Sequence, residues 1–278
     1  MSEITNAVRD ILGTVRASSW KSFFGCELSW YYSNVMGLRI PSTGVAATGT
    51  AIHAGTAVFD AARLRGEEPS VEEAVAVAMA SLHNPEEEVA WDDVKDFKDA
   101  EAIVIKLTTK YCNEFAPTRH YVAIETRCAA LDIRTDYGVV RTTGTIDRVR
   151  ELPDLRRGVT DLKSGKQATE KNDDGTRRAA IGAHHLQVGI YTLMAEVALN
   201  EQLEAPAEIV GLSTTKEAPI AAADIPDVKT ALLGKEGYVG MIEMAAKTLK
   251  DGLFRPNPGA FTCTKTWCAG YPRCPYHA

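Results

Sequence analysis

The spacing of apolar residues changes once along this chain, near residue 118, and that change limits the fold more than any other feature. Before it, apolar positions recur at helical intervals. Ser18 or Ser19 is placed to cap a helix through 20–33, and a second helix follows Thr48 and carries 51–60. Ser70 and Glu73 form a capping-box signature ahead of 74–82, and a long helix spans 92–115. After residue 118 the segments 120–128, 139–149 and 158–163 are short and rich in β-branched residues, the signature of strands. The Asp-Tyr-Gly turn at 136–138 fits a hairpin between the first two. The polar segment 166–178 reads as a mobile loop, 183–200 as a helix, 209–213 as a strand and 228–249 as a further helix. Helices alternating with strands in this way predict an α/β fold: a mixed central sheet flanked by helices. The chain divides into a helical N-terminal region (1–118), a core (119–253) and a Cys-rich tail (254–278).

Charge narrows the function. The net charge of −6 argues against a general polyanion binder, yet residues 141–178 hold ten Lys and Arg against seven Asp and Glu. No apolar run approaches the roughly 18 residues of a membrane helix, and residues 1–16 lack a secretory apolar core. The expectation is a cytoplasmic protein with no membrane partner. No G-x-x-x-x-G-K-[ST] motif occurs, so an ATP motor of that type is excluded.

Two strand ends concentrate acids. Residues 142–147 (TTGTID) close on Asp147, and residues 159–163 (VTDLK) place Val159, Asp161 and Lys163 on one face, because a strand alternates with period two. Asp161 with Lys163 is either an exposed ion pair contributing about 0–1 kcal/mol or the start of a reactive site. If the two strands are antiparallel neighbours, Asp147 and Asp161 converge, and two close carboxylates repel unless a cation lies between them. A divalent ion is the natural cation, with Lys163 alongside to neutralise charge on phosphate. Glu125, on the preceding strand, is placed to join the cluster.

The six cysteines divide unevenly. Cys263, Cys268 and Cys274 fall within twelve residues among Gly and Pro, a pattern that in a reducing compartment points to metal rather than disulfides. Proximity offers His277 as a fourth ligand for a Cys₃His zinc site. Cys112 and Cys128 read as small buried hydrophobes.

Taken in order, His53 within GTAIH (49–53), Glu125, GTID (144–147), DLK (161–163) and QVGIY (187–191) resemble the RecB-type branch of the PD-(D/E)xK nuclease superfamily. That branch includes CRISPR-associated adaptation nucleases and phage exonucleases. The resemblance runs from Ser19 to the last cysteine. It implies a restriction-endonuclease-like core in which His53, Asp147 and Asp161 bind Mg²⁺ or Mn²⁺ and Lys163 is catalytic. Glu125 matches the acid of the first core strand. Gln187 and Tyr191, four residues apart on one helix face, position substrate or the lysine. Residues 20–32 resemble the first helix of members carrying a 4Fe-4S cluster, which implies that Cys26 joins Cys263, Cys268 and Cys274 as cluster ligands.

The implied activity is a metal-dependent DNA exonuclease acting on single strands or DNA ends, in recombination, repair or phage DNA metabolism. A catalytically silent DNA-binding recombination partner on the same scaffold is the alternative, and a redox protein built on the cluster is a third. A helicase or recombinase partner is compatible with the first two and identified by neither. Arg148, Arg150, Lys166, Arg177 and Arg178 are the expected phosphate contacts. Trp20, Phe23, Phe24, Trp30 and Tyr31 offer stacking faces or, at their helical spacing, core packing. His184 and His185 mark either a DNA contact or a polar helix start.

Overall fold

The computed structural model describes residues 10–92, 94–182 and 184–277. Residues 1–9, Asp93 in the expected 92–115 helix, Ala183 at the head of the 183–200 helix, and Ala278 lie outside the described residues. The elements are β1 (Ile11–Arg16), α1 (Trp20–Gly25), α2 (Glu27–Asn34), α3 (Gly44–Leu64), α4 (Val71–His83) and α5 (Val94–Lys110). There follow β2 (Tyr121–Arg127), β3 (Leu131–Thr135), β4 (Gly138–Thr143), β5 (Thr145–Glu151), β6 (Arg157–Gly165), α6 (His184–Leu199), β7 (Ala207–Ser213), β8 (Ile220–Ile225) and α7 (Met241–Asp251).

The fold is α/β. Its five-stranded mixed sheet has the order β8-β7-β6-β5-β2. Only β6 and β7 run parallel in it. A parallel pair needs a crossover, and α6 supplies it. Every residue of β7 is buried, and β6 is buried from Gly158 to Leu162, as strands covered on both faces must be. One cover joins Val149, Val159 and Ile209 to Ile190 and Met194 of α6 and to Trp20, Phe23 and Trp30. The other joins Leu162, Val210 and Leu212 to Ile52 and Phe59 of α3 and to Val104 and Leu107 of α5. The helices before residue 118 are therefore structural walls of the sheet. The aromatic cluster of α1 and α2 is core packing rather than a stacking platform: Trp20, Phe23 and Trp30 are buried, and Phe24 and Tyr31 pack against them.

Several expectations change. The hairpin around Asp136 is present, but its first arm is β3, which pairs with β4, while β2 pairs with β5. The expected strand 139–149 is divided at Gly144 between two sheets, because β1, β4 and β3 form a separate three-stranded sheet. The 20–33 helix breaks at Cys26, whose backbone is extended (φ −161°, ψ 101°). The helix expected to follow Thr48 starts earlier, at Gly44, capped by the Thr43 side chain, which accepts from the Ala46 N–H at 3.2 Å. Ser70 does cap α4, accepting from the Glu73 N–H at 3.1 Å. The 166–178 segment is a small antiparallel hairpin of Thr169–Lys171 with Arg177–Ala179. The 228–249 helix is interrupted: Gly234 (φ +82°) stops a short turn of helix, and α7 begins at Met241. Among the described residues no helix is long and apolar enough to cross a membrane.

Candidate active site

The site lies where β5 and β6 part. Their antiparallel pairing ends at Arg148↔Thr160. One residue further, Asp147 turns its carboxylate into the opening and accepts the Leu162 N–H on Oδ2 at 2.9 Å. That bond replaces the ladder bond the strands no longer make. Gly144, just ahead, lets the Tyr191 ring lie against the backbone, since a Cβ there would fall 2.8 Å from the ring. On the opposite wall, α3 approaches the end of β6 at Gly49, where a Cβ would fall 2.5 Å from Ser164 Oγ. One turn beyond Gly49, His53 Nδ1 reaches within 3.5 Å of Asp147 Oδ2.

β2 brings the third group. Ile124↔Arg148 and Thr126↔Ile146 are paired, which sets Glu125 opposite Asp147 across the ladder. Like charges directly opposite repel. Glu125 has a left-handed backbone (φ +43°), rare for a side chain of this kind and concentrated at functional sites. His53, Glu125 and Asp147 each offer a ligand atom within 4.8 Å of the others, and they are the one such group of three among the described residues. Burial and the Asp147 charge push the Glu125 carboxyl up. Burial pushes the His53 imidazole down, against the pull of Asp147, which favours the uncharged form that can ligate a metal.

Asp161 stands beside this trio without belonging to it. It is fully buried, and its Oδ2 lies 2.7 Å from Lys163 Nζ. Its other oxygen, Oδ1, is buried without a hydrogen-bond partner. Burial pushes its pKa up to about 7; Lys163 opposes the rise and Asp147 adds to it. Gln187 and Tyr191, both buried, bond to each other at 3.1 Å, and Asp147, Asp161 and Glu125 all raise the Tyr191 phenol beyond its burial.

A cation fits here. A buried carboxylate oxygen without a donor, two opposed carboxylates and an imidazole are a donor set for a hard divalent ion such as Mg²⁺ or Mn²⁺. The model of the PD-(D/E)XK nuclease superfamily matches residues 15–278. The chain belongs to that superfamily. Nucleases of this superfamily are metal-dependent, and DNA is the substrate class that membership implies. The solved structure of a "putative exonuclease" from Eubacterium rectale is 15% identical, covers 92% of this chain and 86% of its own, and superposes with a TM-score of 0.53, a likeness of fold. A second solved structure, SSO0001, is 12% identical, covers 92% of this chain and 97% of its own, and has a TM-score of 0.37. No curated protein matches the sequence.

Two of the expected phosphate contacts are overturned. Arg148 is completely buried and Arg150 nearly so, each within an ion-pair cluster, so neither meets a DNA backbone. Arg177, Arg178 and Lys166 are exposed, with Arg178 paired to Glu170 at 2.7 Å. His185 Nδ1 lies 3.0 Å from the Gly182 carbonyl at the start of α6, the polar helix start. His184 is half-buried, and burial together with Lys163 and Lys21 pushes its pKa down to about 4. Sequence reasoning missed Asp60 and Tyr111, which lie under the site. The available signal was Asp60 seven residues after His53, two turns along the same helix face.

The tail closes on the N-terminal helices. Glu27, next to Cys26, is buried and paired with Arg255, which clamps the tail onto α2. Cys26, Cys263, Cys268 and Cys274 line one small cavity with Leu28, Tyr32 and Tyr271. His277 is not among the lining groups; its ring stacks on Tyr271 and its Nε2 lies 2.6 Å from that residue's carbonyl. Burial pushes the Cys112 thiol up to about 12 and raises that of Cys128, as expected of inert thiols.

Proposed function

We propose that the protein is a RecB-type DNA exonuclease, working on single strands or DNA ends, with Mg²⁺ or Mn²⁺ at the β5–β6 fork and a 4Fe-4S cluster in the tail. The observation that carries the catalytic reading is the convergence of His53, Glu125 and Asp147 within 4.8 Å of one another, beside the buried Asp161–Lys163 pair. His53, Glu125 and Asp147 would hold the ion, with the Asp161 carboxylate next to them as a further donor. A divalent ion supplies Lewis acidity at a phosphate oxygen and acidity to water. Lys163, on the solvent side of Asp161 and one-fifth exposed, neutralises charge building on the phosphate. Gln187 and Tyr191, bonded to each other next to the carboxylates, position the substrate or the lysine. The exonuclease reading is supported by the motif order and by the description of the Eubacterium rectale neighbour.

The cluster reading is supported by four thiols around one cavity. In this reading residues 1–118 contribute His53 and Cys26, residues 119–253 form the nuclease core, and residues 254–278 bind the cluster. The protein works in a reducing cytoplasm, in recombination, repair or phage DNA metabolism.

End-labelled single- and double-stranded DNA, with 5′ or 3′ ends blocked, tests the activity in Mn²⁺ and Mg²⁺. Loss of labelled ends in the wild type and not in Lys163→Ala supports it. Tight DNA binding with no cleavage overturns it in favour of the silent DNA-binding alternative. Anaerobic purification tests the tail: broad visible absorbance with iron and sulfide is expected, and a colourless protein holding one zinc ion overturns the cluster.

A further inference from the structure

Below the His53–Glu125–Asp147 trio lies a buried relay of charge that no sequence motif marks. Arg148, fully buried, donates from Nε to Asp60 Oδ2 at 2.8 Å. Its Nη1 donates to Glu125 Oε1 at 2.9 Å and to the Asp147 carbonyl at 2.7 Å. Asp60 also accepts the Tyr111 hydroxyl at 2.7 Å. One guanidinium thus touches two of the three trio residues and is itself fixed by α3, the helix that delivers His53.

The geometry at Glu125 is unusual for a reason this contact explains. Opposed residues on paired strands share a face, and neighbours on one strand do not. Glu125 lies opposite Asp147, so a regular strand would send Glu125 and Arg148 to opposite faces. The left-handed backbone at Glu125 breaks that alternation, and its carboxylate meets the guanidinium. A planar fork with five donors serves three acceptors at once; a lysine ammonium on a flexible stem does not hold such a plane.

We propose that Arg148, anchored by Asp60, is a positioning residue that sets the Glu125 carboxylate for the divalent ion. The proposal rests on the reading of the trio as the ion's site. Groups that orient metal ligands typically change affinity 10–100-fold when removed, and this one reaches the ligand from inside the core.

The test is Mn²⁺ affinity of the full-length protein without DNA, followed by electron paramagnetic resonance. Two variants are used. Asp60→Leu/Arg148→Met replaces the buried pair by apolar side chains, a change that folds tolerate. Arg148→Lys keeps the charge facing Asp60. Near-UV circular dichroism selects whichever variant keeps native packing. The expected result is Mn²⁺ binding weakened about 10–100-fold and, in a Glu125→Gln background, a further loss of less than about twofold from the same change. Unchanged Mn²⁺ affinity in a natively packed variant overturns the proposal. So does a full additional loss in the Glu125→Gln background. Failure of the underlying reading looks different: wild-type Mn²⁺ binding would then be indifferent to Asp147→Asn and Glu125→Gln themselves.

Discussion

Arg148 and Arg150 stand two residues apart on β5, on one face of the sheet, and both are buried in clusters of charge. The clusters differ in what they leave over. Around Arg150, Glu208 accepts from Arg119 and Arg150 on Oε1 at 2.9 and 2.7 Å and from Thr160 on Oε2 at 3.0 Å. Arg150 also bonds Asp224 and the Pro206 carbonyl, and its Nε is the one side-chain atom of this set left without a partner. Around Arg148 and the neighbouring fork, acceptors remain: Asp60 Oδ1 and Asp161 Oδ1 have no donor, while Asp161 Oδ2 is paired with Lys163. Buried charge alone marks neither function nor stability. A closed cluster fixes the sheet, whereas surplus acceptors beside an imidazole make a place for a cation.

The comparison can be broken at several points. The largest effect belongs to the open end. Lys163→Ala should lower DNA cleavage in Mn²⁺ by at least about 10²–10³-fold, while its urea midpoint stays close to wild type. A variant that still cleaves at the wild-type rate removes the fork from catalysis. Glu208→Ala should do the reverse. Removing one member of a closed buried cluster costs about 3–5 kcal/mol, measurable by urea unfolding, and Mn²⁺ affinity should not change. If affinity falls with stability, the two clusters are one unit and the contrast fails.

A third effect separates them by pH. The Asp161 carboxyl ionises at about 7 in the folded protein, against about 3.9 in an unfolded chain. Between those values the folded state holds a proton that the unfolded state has released. The stability from this group is full below about pH 4, drains as pH rises to 7, and is level above. In chelator, the stability difference between wild type and Asp161→Asn should therefore shift against the wild type across that window. Saturating Mn²⁺ should stabilise the wild type more than the variant, which keeps the trio and lacks the Asp161 charge. A difference independent of pH would mean that Asp161 carries no such strain. Smallest is the rim. Lys166→Ala should leave stability within about 0.5 kcal/mol and reduce the salt slope of DNA binding by about one; an unchanged slope takes the hairpin off the DNA path.

Parts of this site were legible from residues alone. Asp161 and Lys163 pair because period two puts them on one face, and Gln187 and Tyr191 meet because four residues make a helical turn. His53 was legible through its motif, and Gly49 shows why: the helix needs a residue without a Cβ to reach the strand. The trio was only partly legible. His53 and Asp147 come together, but the third member of the tight group is Glu125, drawn in by a local break in β2, and Asp161 faces Lys163 instead. Arg148 and Arg150 read as surface cations because the sequence shows charge and not the partners that bury it. The breaks at Cys26 and Gly144 were not legible either, since each lies against a neighbour distant in sequence.

The amino-acid order by itself determined the period of each segment, hence the α/β class, the walls around the sheet and the pairs lying within one element. Tertiary structure decided which carboxylates keep a free lone pair. That is a sum over donors arriving from α3, β2, β5 and β6 together, and no single segment contains it.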